Sequence, residues 1–126
     1  MSLDPNTLEA HFIARLQYFM QMFGEGRINE LVDDFYTEDA VIEGPGLPQQ
    51  TGHEALKAIF SEAAKSYKAI EISMDRLVHP DVNLAYAFIT NRNIRNDDVV
   101  EIHRASIVWR KVNDKWLCQT DFFYIP

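Results

Sequence analysis

Ala105-Ser106-Ile107-Val108-Trp109-Arg110-Lys111-Val112-Asn113-Asp114-Lys115-Trp116-Leu117-Cys118-Gln119-Thr120-Asp121-Phe122-Phe123-Tyr124 contains two β-rich runs joined at Asn113-Asp114. Asn and Asp tolerate the positive φ angles of a tight hairpin turn, so the stretch predicts an antiparallel pair. Alternation assigns the faces. Ala105, Ile107 and Trp109 point one way, and Ser106 and Val108 the other. On the second strand, Trp116, Cys118, Thr120, Phe122 and Tyr124 share one side, while Leu117, Gln119, Asp121 and Phe123 share the opposite side. Both faces of this hairpin therefore carry apolar groups. One can pack on helices. The other needs cover too, and a homodimer packed sheet against sheet provides it. The alternative is a strand that curls, so that its rings fill gaps at its ends.

Upstream, residues 69–79, 84–95 and 99–112 are also β-rich, and the last strand extends over 115–125. Asn96-Asp97 and His79-Pro80-Asp81 mark the turns between them. Four consecutive strands with short connections predict an antiparallel sheet.

The first half has a different period. Leu8, Phe12, Leu16, Phe19 and Phe23 recur every three or four residues, which predicts a helix over 5–23, with Pro5 in its first turn and Gly24 and Gly26 ending it. A second helix over 28–36 has Ile28, Leu31, Val32, Phe35 and Tyr36 on its apolar side. Residues 40–43 read as a short strand, broken by Gly44, Pro45, Gly46 and Pro48 into a loop. Thr51, with Glu54 three residues on, has capping-box spacing and opens a third helix. Its stripe is Leu56, Ile59, Phe60, Ala63, Ala64 and Tyr67.

The bulk numbers suit one domain over 1–126. The chain has 126 residues, 47% of them apolar, enough to build a core by burial. Its 12 basic against 19 acidic residues give a formal charge of −7. An acidic chain without a basic stripe is not expected to bind nucleic acid or an anionic membrane surface. The single cysteine, Cys118, excludes an internal disulfide. The first residues lack a long apolar run, so a cytoplasmic setting is the default. His11, His53, His79 and His103 form neither an HxH nor an HExxH pattern, and no metal or cofactor is expected.

Four phrases, in order, carry a family resemblance. Gly26-Arg27-Ile28-Asn29-Glu30-Leu31-Val32 resembles a glycine leading into a second helix. Tyr36-Thr37-Glu38-Asp39-Ala40-Val41-Ile42-Glu43 resembles a helix end and first strand. Gly52-His53-Glu54-Ala55-Leu56 resembles the glycine-led start of a third helix. Trp109-Arg110-Lys111-Val112-Asn113-Asp114-Lys115-Trp116 resembles a final hairpin. Together they resemble the NTF2-like superfamily, of the SnoaL-like and ketosteroid-isomerase-like type. The resemblance implies an α+β, cystatin-like cone, with three N-terminal helices packed on a curved antiparallel sheet around a pocket. Its members include isomerases, cyclases, dehydratases, epoxide hydrolases and non-enzymatic transport or assembly modules, so it implies no single chemistry.

Matching the isomerase-type apparatus to this chain leaves gaps. The position of the general base is Gly44, that of the oxyanion-hole tyrosine is Phe19, and that of the second oxyanion donor is Ser106. The side expected to line the pocket offers other groups. Asp121, beside Gln119 and Phe123, is the candidate acid or base, because a carboxyl among apolar groups has a raised pKa. Ser106 and Glu43 are further catalytic candidates, Glu43 with its facing left open by its neighbours. Phe19, Tyr36, Phe60, Tyr86, Phe88, Arg92, Arg104, Gln119 and Phe123 are expected to bind the ligand. An arginine next to Asp121 would instead keep it charged, either to clamp an anionic substrate or as a structural ion pair. Tyr18 and Tyr67 are candidates for hydroxyls at the pocket wall. His103, opposite Ser106, is equally a dimer-face residue or a catalyst. Three functions remain open: acid–base chemistry on a small apolar molecule, non-catalytic binding of such a molecule, or a dimeric assembly module.

Overall fold

The structure is a computed structural model that describes residues 7–126. Pro5, and with it the first turn expected of the first helix, lies outside them. Helix α1 spans Leu8–Gly24, α2 Ile28–Phe35 and α3 His53–Ser66. The strands are β1 Tyr36–Gly44, β2 Leu47–Thr51, β3 Tyr67–Asp81, β4 Leu84–Arg95, β5 Val100–Val112 and β6 Lys115–Tyr124.

Thr7 caps α1, its hydroxyl accepting from the Ala10 amide at 3.1 Å, which satisfies one of the free N–H groups at the helix start. The expected stripe is buried: Phe12, Leu16, Phe19 and Phe23, joined by Met22. Gly26 ends the turn after α1 at φ 73°, a conformation open to glycine at little cost. In α2 the apolar side is Ile28, Leu31, Val32 and Phe35. Tyr36 belongs to β1 rather than to the helix.

Three expectations about local structure are corrected. The loop expected after Gly44 contains strand β2, which pairs antiparallel with β1, Val41 opposite Thr51. Thr51 is thus committed to the ladder and is no helix cap. Gly52, at φ 95°, takes the N-cap position of α3 without a side-chain hydrogen bond. His79, Pro80 and Asp81 remain within β3, and the chain turns just beyond them, where the Asn83 amide donates to Asp81 Oδ1 at 3.0 Å. The hairpin at Asn113-Asp114 forms as its chemistry predicts, with φ of 50° and 63°.

The sheet has six strands in the order β2-β1-β6-β5-β4-β3. It is curved and mixed, not purely antiparallel, because β1 runs parallel to β6. That pairing places the start of the sheet beside its end, and α1, α2 and α3 cover the inner face. The core sits between them, with Trp109, Leu31, Val32, Leu56 and Cys118 fully enclosed. Among the described residues, no helix is long and apolar enough to cross a membrane.

Candidate functional site

The facing of β6 depends on one residue. Val108 pairs with Thr120 and Trp109 with Cys118, so Gln119 is an extra residue on β6, a β-bulge. The bulge reverses the alternation beyond it. Trp116 and Cys118 face inward before it, and Asp121 and Phe123 face inward after it. The expectation that these two pairs lie on opposite faces is therefore wrong: all four line the inside of the sheet.

The same register turns several expected site residues outward. Ser106 pairs with Phe122 and Phe88 with Ser106. Tyr86, Phe88, Arg92, Arg104 and Ser106 all lie on the outer face, away from the helices. Their inward neighbours on β4 are Ala85, Ala87, Ile89, Asn91 and Asn93. Arg104 lies 3.6 Å from Asp75, and Arg92 lies 3.8 Å from Glu71. Neither forms the ion pair weighed for Asp121. Glu43 pairs with Phe122 and shares the outer side, while its neighbour Ile42 pairs with Asp121. Phe19 is buried in the core, edge-on to Phe35 and Phe60.

What does come together is a cavity of about 170 Å³ between α3 and the inner sheet face. Ile59, Phe60 and Ala63 supply its helical wall. Ile42, Ile70 and Phe123 supply apolar strand contacts, with Tyr67 at one side. Its polar groups are Asp121, Asn91, Asn93 and His103. Of the sequence candidates, Asp121, Phe60, Tyr67, His103 and Phe123 thus line it directly, and Tyr36 reaches it through Asp121. Two larger hollows lie around Gly26–Glu30 and between Asp33 and Arg110. In them Asp33 lies 2.8 Å from Lys57, and Arg27 pairs with Glu30.

Asp121 is half-buried and lines the cavity. Tyr36 Oη donates to its Oδ2 at 3.3 Å, a long hydrogen bond. No cation is within ion-pair distance of it among the described residues. Burial pushes its carboxyl up to about 6, opposed by the hydrogen bond from Tyr36. Tyr36 is 2% exposed, and burial, then the nearby Asp121, raises its own pKa well above 10, so it stays a neutral donor. Cys118 has the same fate: burial, then Asp121, holds its thiol protonated. It is an inert core group rather than a nucleophile.

His103 was left undecided between dimer face and pocket by sequence alone; it faces the pocket. Its ring stacks on Phe123, centroids 5.9 Å apart and planes 15° from parallel. Asn93 Nδ2 lies 3.2 Å from His103 Nδ1. Tyr67 Oη donates to Glu101 at 2.5 Å, and Tyr18 Oη to Asp34 at 2.8 Å. Both hydroxyls are therefore tied off, as rim tyrosines usually are. Asn91 and Asn93 were missed. The signal available was their two-residue spacing in line with Ala87 and Ile89, the inward parity of β4.

Gly44 explains the gap in the isomerase-type pattern. A Cβ built there would lie 2.3–2.5 Å from the Phe123 ring. The ring occupies the space that a side chain at position 44 would need.

The fold is shared with known proteins. The sequence profile of the SnoaL-like domain matches residues 16–118. Among curated proteins no sequence matches significantly. A ketosteroid isomerase-like protein from Erwinia carotovora atroseptica superposes with a TM-score of 0.76 at 17% identity, covering 94% of this chain and 96% of that one. An NTF2-like protein of unknown function from Pseudomonas putida does so with 0.75 at 21%, covering 94% and 86%. A candidate dehydratase of the NTF2-like family from Streptomyces avermitilis does so with 0.77 at 14%, covering 98% and 99%. At such identities these likenesses carry the fold alone.

Proposed function

This chain belongs to the SnoaL-like domain family, and from that premise we propose that it is a one-domain enzyme moving protons on a small, largely apolar molecule, with Asp121 as the acid–base group. The observation that supports this most is a carboxyl set deep in an apolar cavity, touched by one tyrosine and neutralised by no cation. With its pKa brought up to about 6, Asp121 is largely ionised at neutral pH and only weakly solvated. It can take a proton from carbon or hydroxyl and return it elsewhere on the same molecule. Tyr36 holds the carboxylate by one hydrogen bond and supplies no charge. Isomerisation, cyclisation and dehydration share this proton traffic, and the isomerase-type base and donors are absent at Gly44, Phe19 and Ser106.

The test is proton exchange. Single-ring ketones and enones are incubated with the protein in D₂O, and deuterium entry next to the carbonyl is followed by NMR. The expected result is catalysed exchange that rises with an apparent pKa near 6 and falls at least about 100-fold in Asp121→Asn. Equal exchange by wild type and Asp121→Asn would remove Asp121 from the chemistry. Tight ligand binding without any exchange would favour the non-catalytic carrier.

We infer further that a second copy covers the outer sheet face. Tyr86, Phe88, Phe122 and Tyr124 are 36–48% exposed there, a contiguous aromatic patch flanked by the charges of Arg92 and Arg104. Sedimentation should give a dimer that Phe88→Arg converts to monomer. A wild-type monomer at micromolar concentration would refute the dimer.

A further inference from the structure

Gly44 is a glycine without a backbone reason. Gly26, Gly46 and Gly52 take positive φ angles, and Gly44 does not, so its conformation is open to any residue. What forbids a side chain there is one neighbour. A Cβ built at Gly44 would overlap three carbons of the Phe123 ring, well inside the 3.5–4.0 Å or so at which carbons pack. The ring is seated from two further sides. Phe123 pairs with Ala105 on β5, a residue too small to displace it. The His103 imidazole stacks on its other side, 15° from parallel.

This seat fixes one wall of the cavity. Phe60, Tyr67 and Phe123 are the large rings that line it. Phe60 is 7% exposed and held by Phe19 and Tyr36, so it belongs to the core. Tyr67 is tied by its hydroxyl to Glu101. Phe123 is half-buried near the end of the last strand, and among the described residues its one ring contact is with His103. It bounds the cavity more than it fills the core. A volume of about 170 Å³ admits one six-membered ring, since a dry cavity of about 150 Å³ takes benzene. Truncating Phe123 to alanine would add the space of one more ring.

We propose that Phe123, seated on Gly44, sets the size limit of the pocket, so that single-ring molecules enter and fused two-ring molecules are excluded. This rests on the pocket reading above and names the residue that decides which apolar molecules the site takes. A fixed wall discriminates by clash, which costs more than a missing contact when the ring cannot move aside.

Cyclohexanone and 2-decalone test this, because both are apolar ketones and differ by one fused ring. Each is titrated into the full chain and its Phe123→Leu and Phe123→Ala variants, with amide shifts around Asp121 and His103 followed by NMR. Wild type is expected to bind cyclohexanone. Phe123→Ala is expected to bind 2-decalone at least about tenfold tighter than wild type does, because the added carbons find room to be buried. Phe123→Leu should fall between them. Equal affinity of the three proteins for 2-decalone overturns the size limit, and leaves the pocket reading intact if cyclohexanone binds. No pocket shift with either ketone in any protein overturns both. If Phe123→Ala does not fold, Phe123→Leu against wild type decides the matter. The seat has its own test. Gly44→Ala is expected to lower the melting temperature of wild type and to lower that of the Phe123 variants by less. An equal loss in all backgrounds overturns the seat.

Discussion

The inner face of the β5–β6 hairpin is sealed near its turn and open at its far end. Near the turn, the Trp109 ring lies tilted 4.8 Å from Phe12 and edge-on 5.1 Å from Phe35, and Trp116 packs 5.1 Å from Phe12. Trp109 and Cys118 have no exposure at all. Beyond the Gln119 bulge the same strands present Ala105, His103 and Asp121, and the space in front of them is the cavity. Both ends hold orphan polar atoms, Trp109 Nε1 at one and the two asparagine oxygens at the other. The indole N–H is shut into packed rings, where no ligand can reach it. The asparagine oxygens are sealed as well, although other atoms of Asn91 and Asn93 line the cavity. The difference teaches that one hairpin separates two tasks: large rings at the turn hold the fold, and small residues at the far end leave room for a guest.

The largest expected effect lies at the sealed end. Trp109→Ala should lower stability by about 3–5 kcal/mol in chemical denaturation, the usual cost of emptying a packed aromatic site. A loss below about 1 kcal/mol would mean that the turn end does not carry the fold. At the open end the sign reverses. The Asp121 carboxyl is raised from 3.8 to about 6 on folding, so the folded protein binds the proton more tightly. Its contribution is most favourable below pH 4 and is lost as pH rises through 6. Asp121→Asn should therefore stabilise the protein at pH 8 by up to about 3 kcal/mol, with the gain vanishing near pH 4. Melting curves that show the two proteins equally stable at pH 8 would contradict an unpaired, desolvated carboxylate.

Gly44→Ala sharpens the boundary between the ends. It drives a methyl into the Phe123 ring, so the ring must leave its stack with His103. A loss of about 1–3 kcal/mol is expected, as for other overpacked sites, with altered His103 ring shifts in NMR. Unchanged His103 shifts would show that Phe123 does not position it. The smallest effect belongs to Tyr36→Phe. Removing the hydrogen bond that opposes burial should raise the apparent pKa of Asp121 further, by less than about one unit, read from carboxyl carbon shifts. A fall in that pKa would reverse the assigned role of Tyr36.

Much of the fold was legible in the residues. The stripes of α1, α2 and α3, the Asn113-Asp114 turn and the family phrases all depend on neighbours a few positions away. The site was legible only in part. Asp121, Phe60 and Phe123 were found, because a lone acid among aromatics stands out. Arg104 and Ser106 were assigned inward because β6 was read as an unbroken alternation, and Tyr86, Phe88 and Arg92 because the family resemblance turned their side inward. One hint was available: apolar groups at both parities over 116–124 suit a bulged strand as well as a strand buried on both faces. Asn91 and Asn93 were missed and His103 was left undecided through the same inversion, since a reversed parity exchanges every side chain between faces.

By itself, the sequence determined the order of the three helices and five of the six strands, the turn at Asn113-Asp114 and the absence of a side chain at Gly44, all of them properties of local chemistry. Tertiary structure alone decided that β1 runs parallel beside β6, that Gln119 bulges, and hence that Asp121 faces the cavity together with His103, Asn91 and Asn93. Strand pairing and facing depend on which ladder partners lie opposite, and those partners are brought together from distant parts of the chain only when the sheet closes over the helices.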